Sequence, residues 1–261
     1  MVISNRRIQQ ASSRFGIPRG QYTAGMRTVR GYQRILSTDP AVPVLLQLPK
    51  WAGRQILFQD PACTIPVESP GDPIGGVRHP LTGEIIAVQE TDANRPVYGG
   101  IEVGAVSNSS NDFLVTPSDQ GYELNKNLTF MVEASNSTAA SGGQHIADLW
   151  SGSGRVVFRY SDDDVFYRNT DGNTPAQQPA LDYLDEEFAH YATVYDGSRG
   201  KTYRDGVEQD DQQVDFGDFG TGYRLTIGAG DDPPSSGWRG RVKWCAFWLD
   251  VFDQAGIEAL T

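Results

Sequence analysis

The sequence predicts an all-β sandwich preceded by an extended, basic N-terminal arm. Three observations carry that expectation. Short runs rich in aromatic and β-branched residues recur roughly every ten residues from Ile56 to Trp248, separated by clusters of Gly, Pro, Asp and Ser. The 29 Gly and 15 Pro of the 261-residue chain supply the turns such a pattern needs. Residues 1–45 hold seven arginines and one acid, so they carry +6 within a net charge of −11, which leaves −17 on the remainder.

Residues 1–50 are expected to form an anchoring arm, and residues 51–261 a single domain. Gly16, Pro18, Gly20, Gly25 and Gly31 interrupt any helical period in the arm, and apolar residues are sparse before 41–48. Three roles are open to it: a disordered tail, a nucleic-acid grip, or a segment ordered by a partner. In the last role Arg6, Arg7, Arg14, Arg19, Arg27, Arg30 and Arg34 supply the anchoring hydrogen bonds. Residues 42–48 then fasten the arm to the body or to a neighbouring subunit.

Extended segments are expected at 57–60, 87–89, 93–98 and 111–117, then strands at 127–134, 146–150, 155–160 and 165–167. The clearest pattern lies at 188–248. Residues 188–195 alternate aromatic and small side chains on two faces; 201–204 return, and Asp205-Gly206 makes a two-residue turn into Val207. Residues 223–228 form another strand. In 238–248, Val242, Trp244, Ala246 and Trp248 share one face while Cys245 and Phe247 lie on the other, which marks a strand covered on both sides.

The spacing aromatic-x-His-x-Ala-x-x-Tyr-Asp-Gly at 188–197, Lys-x-Tyr-x-Asp-Gly-Val at 201–207, Leu-x-Ile-Gly at 225–228 and aromatic-x-Gly-x-Val at 238–242 resembles the ending of laminin-G-like domains, a branch of the concanavalin A-like jelly rolls. Residues 253–260 resemble the short helical tail of such domains, while Lys243 stands where the family usually carries an acid. The earlier succession of Leu57-Phe58-Gln59-Asp60, Pro70-Gly71-Asp72-Pro73-Ile74-Gly75 and Arg95-Pro96-Val97-Tyr98 resembles jelly rolls of tailed-bacteriophage and prophage virion proteins. This resemblance implies a concanavalin A-like jelly-roll sandwich that projects from a phage-like particle, bound through the arm to other virion proteins. It further implies a homo-oligomer on the particle, with cell-surface glycan as ligand and the virion as its location. A glycan-active enzyme and a free bacterial lectin are the alternatives.

Glucanases of this architecture resemble one another in a Glu-x-Asp-x-Glu strand, and nothing here matches it. Asp162-Asp163-Asp164 and Asp185-Glu186-Glu187 are consecutive, so neighbours point to opposite sides of an extended chain and read as solvated turns. No enzyme is expected. The scattered His79, His145 and His190 make no nucleophile–base set, and His190 suits a hydrogen-bonded structural role. Carbohydrate binding would use a flat aromatic beside polar groups: Trp238 with Asp231 and Asp232, or Trp150 near Gly152. Each of these tryptophans also suits a sandwich core or rim. No cofactor is expected, calcium excepted, for which Asp231, Asp232, Asp171 and Asn173 offer oxygen ligands. Cys63 and Cys245 read as free thiols. No run of eighteen apolar residues exists, so no membrane partner is expected. The opening five residues lead straight into Arg6-Arg7 without an apolar core, so synthesis in a cytoplasm and release by assembly or lysis is expected.

Overall fold

The computed structural model describes residues 22–261 except 110, 125, 137–143, 153, 161–163, 169–178, 184–185, 215–218 and 231–236; side chains are described from residue 27 onward. In chain order the first elements are α1 (Tyr22–Ser37), β1 (Val42–Leu45), β2 (Lys50–Trp51), β3 (Arg54–Gln55), β4 (Leu57–Phe58), β5 (Gly76–Arg78) and β6 (Ile85–Val88). There follow β7 (Val97–Tyr98), β8 (Ala105–Ser107), β9 (Leu114–Val115), β10 (Tyr122–Leu124), β11 (Leu128–Asn136), β12 (His145–Ser151) and β13 (Gly154–Arg159). The chain closes with β14 (Asp164–Arg168), β15 (Ala189–Tyr195), β16 (Arg199–Arg204), β17 (Val207–Gln213), β18 (Gly220–Ile227), β19 (Gly240–Trp248) and α2 (Gln254–Glu258).

Among the described residues these strands form two large sheets. One has eight strands, ordered β17-β16-β15-β11-β19-β8-β7, with β1 also on β19. The other has nine, ordered β14-β13-β12-β18-β9-β6-β5-β4, with β10 on β18. The two inner faces meet through aromatic contacts. Phe130 of β11 lies 4.8 Å from Phe158 of β13, and Tyr167 of β14 lies 5.8 Å from Tyr195 of β15. Such tilted pairs add to the stabilisation from apolar burial. The all-β sandwich expected from the turn spacing is therefore the fold.

The strongest sequence pattern becomes the centre of the eight-stranded sheet. β19 pairs antiparallel with β11 over eight positions, from Thr129 opposite Trp248 to Asn136 opposite Gly240. Trp244, Cys245, Ala246, Phe247 and Trp248 are all buried, so both faces of β19 are covered. β15, β16 and β17 form the expected antiparallel meander. Its tight turn has Asp205 at φ 49° and Gly206 at φ 81°, the two positive values that a type I′ hairpin requires. Asp205 also accepts from the His190 backbone N–H at 2.9 Å, and the His190 ring lies beside the Asp205 carboxylate at 3.3 Å.

The N-terminal reading needs correction. Residues 22–37 form a helix although it contains Gly25 and Gly31. Val29, Tyr32, Ile35 and Leu36 recur at helical spacing and are buried in the sandwich core, and that packing outweighs the roughly 0.5–1 kcal/mol each interior glycine costs. Tyr32 accepts from the Gln47 backbone N–H at 2.9 Å and donates to the Lys243 carbonyl at 3.2 Å, which ties α1 to both β19 and the segment after β1. Trp248 Nε1 donates to Thr38 Oγ1 at 2.9 Å. β1 pairs with β19 of its own chain, Val42 opposite Phe247 and Leu45 opposite Trp244. The division between an arm 1–50 and a body 51–261 therefore fails from Val29 onward, because 29–48 share the core of the sandwich. Among the described residues no helix is long and apolar enough to cross a membrane.

Candidate functional site

The outer face of the nine-stranded sheet carries an unusual row of side chains. Strand alternation sends Leu149, Val156, Tyr167 and Leu225 inward, where all four are buried in the core. Their neighbours therefore face outward, and register places them side by side. Arg168 of β14 is opposite Arg155 of β13. Arg155 is opposite Trp150 of β12, and Trp150 is opposite Arg224 of β18. Four adjacent strands thus present Arg–Arg–Trp–Arg in one line, each side chain half-buried.

A second row lies one pleat along the strands: Phe166, Val157, Asp148 and Thr226. It holds the first row in place. Trp150 Nε1 donates to Thr226 Oγ1 at 2.9 Å, which fixes the indole plane. The Arg224 guanidinium sits 5.5 Å from the centre of the Trp150 ring and donates to the Thr116 carbonyl through Nε at 2.9 Å and Nη2 at 2.6 Å. Arg155 is ion-paired with Asp148, which is 0 % exposed. Arg168 lies 5.8 Å from the centre of the Phe166 ring, and among the described residues its buried Nε has no hydrogen-bond partner.

Beyond these rows, Arg159 stacks 4.6 Å from the Phe166 centre and pairs with Asp164 through two hydrogen bonds, Nε to Oδ1 at 2.8 Å and Nη2 to Oδ2 at 2.5 Å. Asp164 is buried, so this member of the Asp162–Asp164 run is an ion-paired strand residue and not a solvated turn. His145 is buried beside the same arginines. Desolvation, reinforced by Arg155 and Arg159, pushes its pKa down to about 3.

At one end of the sandwich lies a separate cleft of ≈ 560 Å³ lined by Ser107, Asn108, Asn136, Glu186, Arg239 and Arg241 among others. Arg241 Nη2 donates to Ser135 Oγ at 2.7 Å and to the Glu186 carbonyl at 2.8 Å. Trp238 stands behind this cleft. It is 0 % exposed and its Nε1 donates to Asn136 Oδ1 at 2.9 Å, so it offers no face to a sugar. Trp238 is a core residue, which corrects its placement as a binding aromatic.

The other predicted site residues divide in the same way. Trp150 is half-buried on the sheet face, whereas Asp231, Asp232, Asp171 and Asn173 lie outside the described residues. Arg6, Arg7, Arg14 and Arg19 also lie outside them, and Arg27, Arg30 and Arg34 line the exposed side of α1. Among the described residues no group of three His, Cys, Asp or Glu is placed to hold a metal. The Arg155, Arg168 and Arg224 row went unnoticed in the sequence. Its signal was the outward parity of strand residues, but strand order was needed to align them.

Comparison with known proteins agrees with the architecture. The laminin-G-type family model described as the concanavalin A-like lectin/glucanases superfamily matches residues 105–258. No curated protein sequence matches the chain. Among solved structures, the botulinum neurotoxin serotype G binding domain is similar over 85% of this chain and 50% of its own length, at 6% identity and TM-score 0.51. The SAP-like pentraxin from Limulus polyphemus is similar over 56% of this chain and 73% of its own, at 12% identity and TM-score 0.45. The Ruminococcus gnavus IT-sialidase CBM40 bound to α2,3 sialyllactose is similar over 53% and 84%, at 13% identity and TM-score 0.44. At 6% identity the likeness to the neurotoxin binding domain speaks for the fold alone. With its two packed antiparallel sheets and the family pattern running from β8 into α2, the chain belongs to the concanavalin A-like lectin/glucanase superfamily.

Proposed function

We propose that this protein is a non-catalytic carbohydrate-binding module that attaches a phage-like particle to a cell surface. The observation that carries the binding role is the half-buried Trp150, its indole fixed by Thr226 and its ring under the Arg224 guanidinium, in line with Arg155 and Arg168. A fixed aromatic plane flanked by hydrogen-bond donors suits a sugar ring, which has apolar C–H faces and a polar rim. The carboxylates of that face support binding over hydrolysis. Asp148 and Asp164 are each engaged by an arginine, whereas glycoside cleavage needs one carboxyl to give a proton and a second across the bond.

The particle role rests on the sequence resemblance of residues 57–98 to virion jelly rolls. It is supported by the exposed Arg27, Arg30 and Arg34, which follow one side of α1 at helical spacing. In this reading α1 and the residues before it dock on other virion proteins, and the sandwich projects as one of several identical copies. A glycan array probed with the purified chain tests the binding role. Binding to a defined set of glycans, lost in Trp150→Ala at an unchanged melting temperature, is the expected result; no binding to any glycan overturns it. Immunoblotting of purified particles from the producing cells tests location, and the absence of the chain from them overturns the particle role.

A further inference from the structure

We infer that the Arg168–Arg155–Trp150–Arg224 row selects an acidic saccharide, one carrying a carboxylate or sulfate. This rests on the carbohydrate-binding reading and names the ligand class. Four adjacent strands set the length of the row at about 14 Å, since neighbouring strands lie about 4.8 Å apart. That length fits a short run of sugars lying across the strands. Trp150 sits inside the line, with Arg155 and Arg224 on the neighbouring strands and the Arg224 guanidinium over its ring.

The charge of the row points the same way. The chain carries −11 overall, yet three cations stand together here. Asp148 is the one acid in the two rows, and it is fully buried beneath Arg155. The two rows therefore set three guanidiniums against one carboxylate. Such a patch raises the local concentration of anions and speeds their arrival.

The arginines are also held in advance. Arg224 is fixed over Trp150 and by two bonds to the Thr116 carbonyl; Arg168 is set near the Phe166 ring, with a buried Nε that has no hydrogen-bond partner among the described residues. An arginine already immobilised loses little further freedom when it meets an anion, and its planar fork matches a carboxylate or sulfate edge. Single-stranded nucleic acid also joins anions to aromatics, but it is gripped by successive stacked bases. The row offers one aromatic, which favours the saccharide.

Matched ligands test this. The chain is titrated calorimetrically with oligogalacturonate, its methyl ester, a sulfated dextran oligosaccharide, the unsulfated oligosaccharide, and single-stranded DNA. The variants are Trp150→Ala, Arg168→Gln and Arg224→Gln, each checked for an unchanged near-ultraviolet circular dichroism spectrum. The expected result is binding of the carboxylated or sulfated oligosaccharide, at least about tenfold tighter than its neutral counterpart, because one charge-assisted hydrogen bond is worth that much. Arg168→Gln should erase that preference while Trp150→Ala weakens acidic and neutral ligands alike. The carboxylated and sulfated arms decide which anion is taken. Equal binding of acidic and neutral partners overturns acid selection and leaves the carbohydrate reading standing. Binding of no saccharide overturns both, and tighter binding of DNA than of either acidic saccharide overturns the assignment of ligand class.

Discussion

Lys243 Nζ donates to Glu133 Oε1 at 2.6 Å, across the paired strands β19 and β11. The ammonium also lies 4.0 Å from the centre of the Phe188 ring, and His190 Nε2 is 3.7 Å from the other Glu133 oxygen. The family usually has an acid at the position of Lys243; here a facing acid on the next strand meets a lysine. Both side chains are largely buried, so removing one partner strands a charge. Lys243→Met should cost about 1–3 kcal/mol, and Lys243→Met with Glu133→Leu should recover most of it. Urea melts of the single and double variants measure the coupling; additive losses would show that the pair is not an interacting unit.

Gly206→Val should destabilise the β16–β17 hairpin. Gly206 has φ 81°, where a β-branched residue is strained by roughly 1–3 kcal/mol. A Cβ there would also approach Glu258 Cγ to 2.9 Å, so the strain reaches α2. A melting temperature equal to wild type would contradict this turn geometry.

His145 should make stability fall as pH falls. In the folded chain its pKa is about 3, whereas the unfolded chain takes up the proton near the ordinary value of 6.5. Between those pH values the unfolded state binds more protons, so stability is full above about 6.5 and declines below it by at most about 1.4 kcal/mol per pH unit. His79 is shifted the same way by burial and adds to the trend. His145→Gln should flatten the slope between about pH 6.5 and 5, a window above the ordinary carboxylate range. Denaturant melts across that window provide the measurement; identical slopes in wild type and variant would refute the assignment.

Replacing Val44, Leu45 and Leu46 with Ser should unfold the sandwich and not merely release the chain from a particle. All three are fully buried, and β1 lies along β19. Each loses about 2 kcal/mol of apolar burial or more, and the sum approaches the whole stability of a domain. Circular dichroism decides the matter: a folded triple variant would show that 44–46 contribute little to the core.

Cys63 and Cys245 should resist thiol reagents in the native protein. Both are free and buried; burial raises the Cys63 pKa to about 11 and that of Cys245 further. Thiolate is the reacting species, so modification should require unfolding. Rapid labelling of the folded chain at neutral pH would contradict this burial.

What the sequence by itself determined was local. Alternation at 188–195, Asp205-Gly206 and the two-faced apolar run at 242–248 dictate strands, a type I′ turn and a central strand, because each depends on near neighbours along the chain. The helix at 22–37 was hidden because its glycines argued against it, and only burial of Val29, Tyr32, Ile35 and Leu36 against the sandwich outweighs their cost. Trp238 and Trp150 look alike in the sequence, each followed by small and polar residues. The tertiary structure alone put one inside, bonded to Asn136, and the other on an outer face. The binding row was beyond sequence reading for the same reason. Arg155, Trp150, Arg168 and Arg224 come from four strands, and their alignment exists only once strand order and register are set.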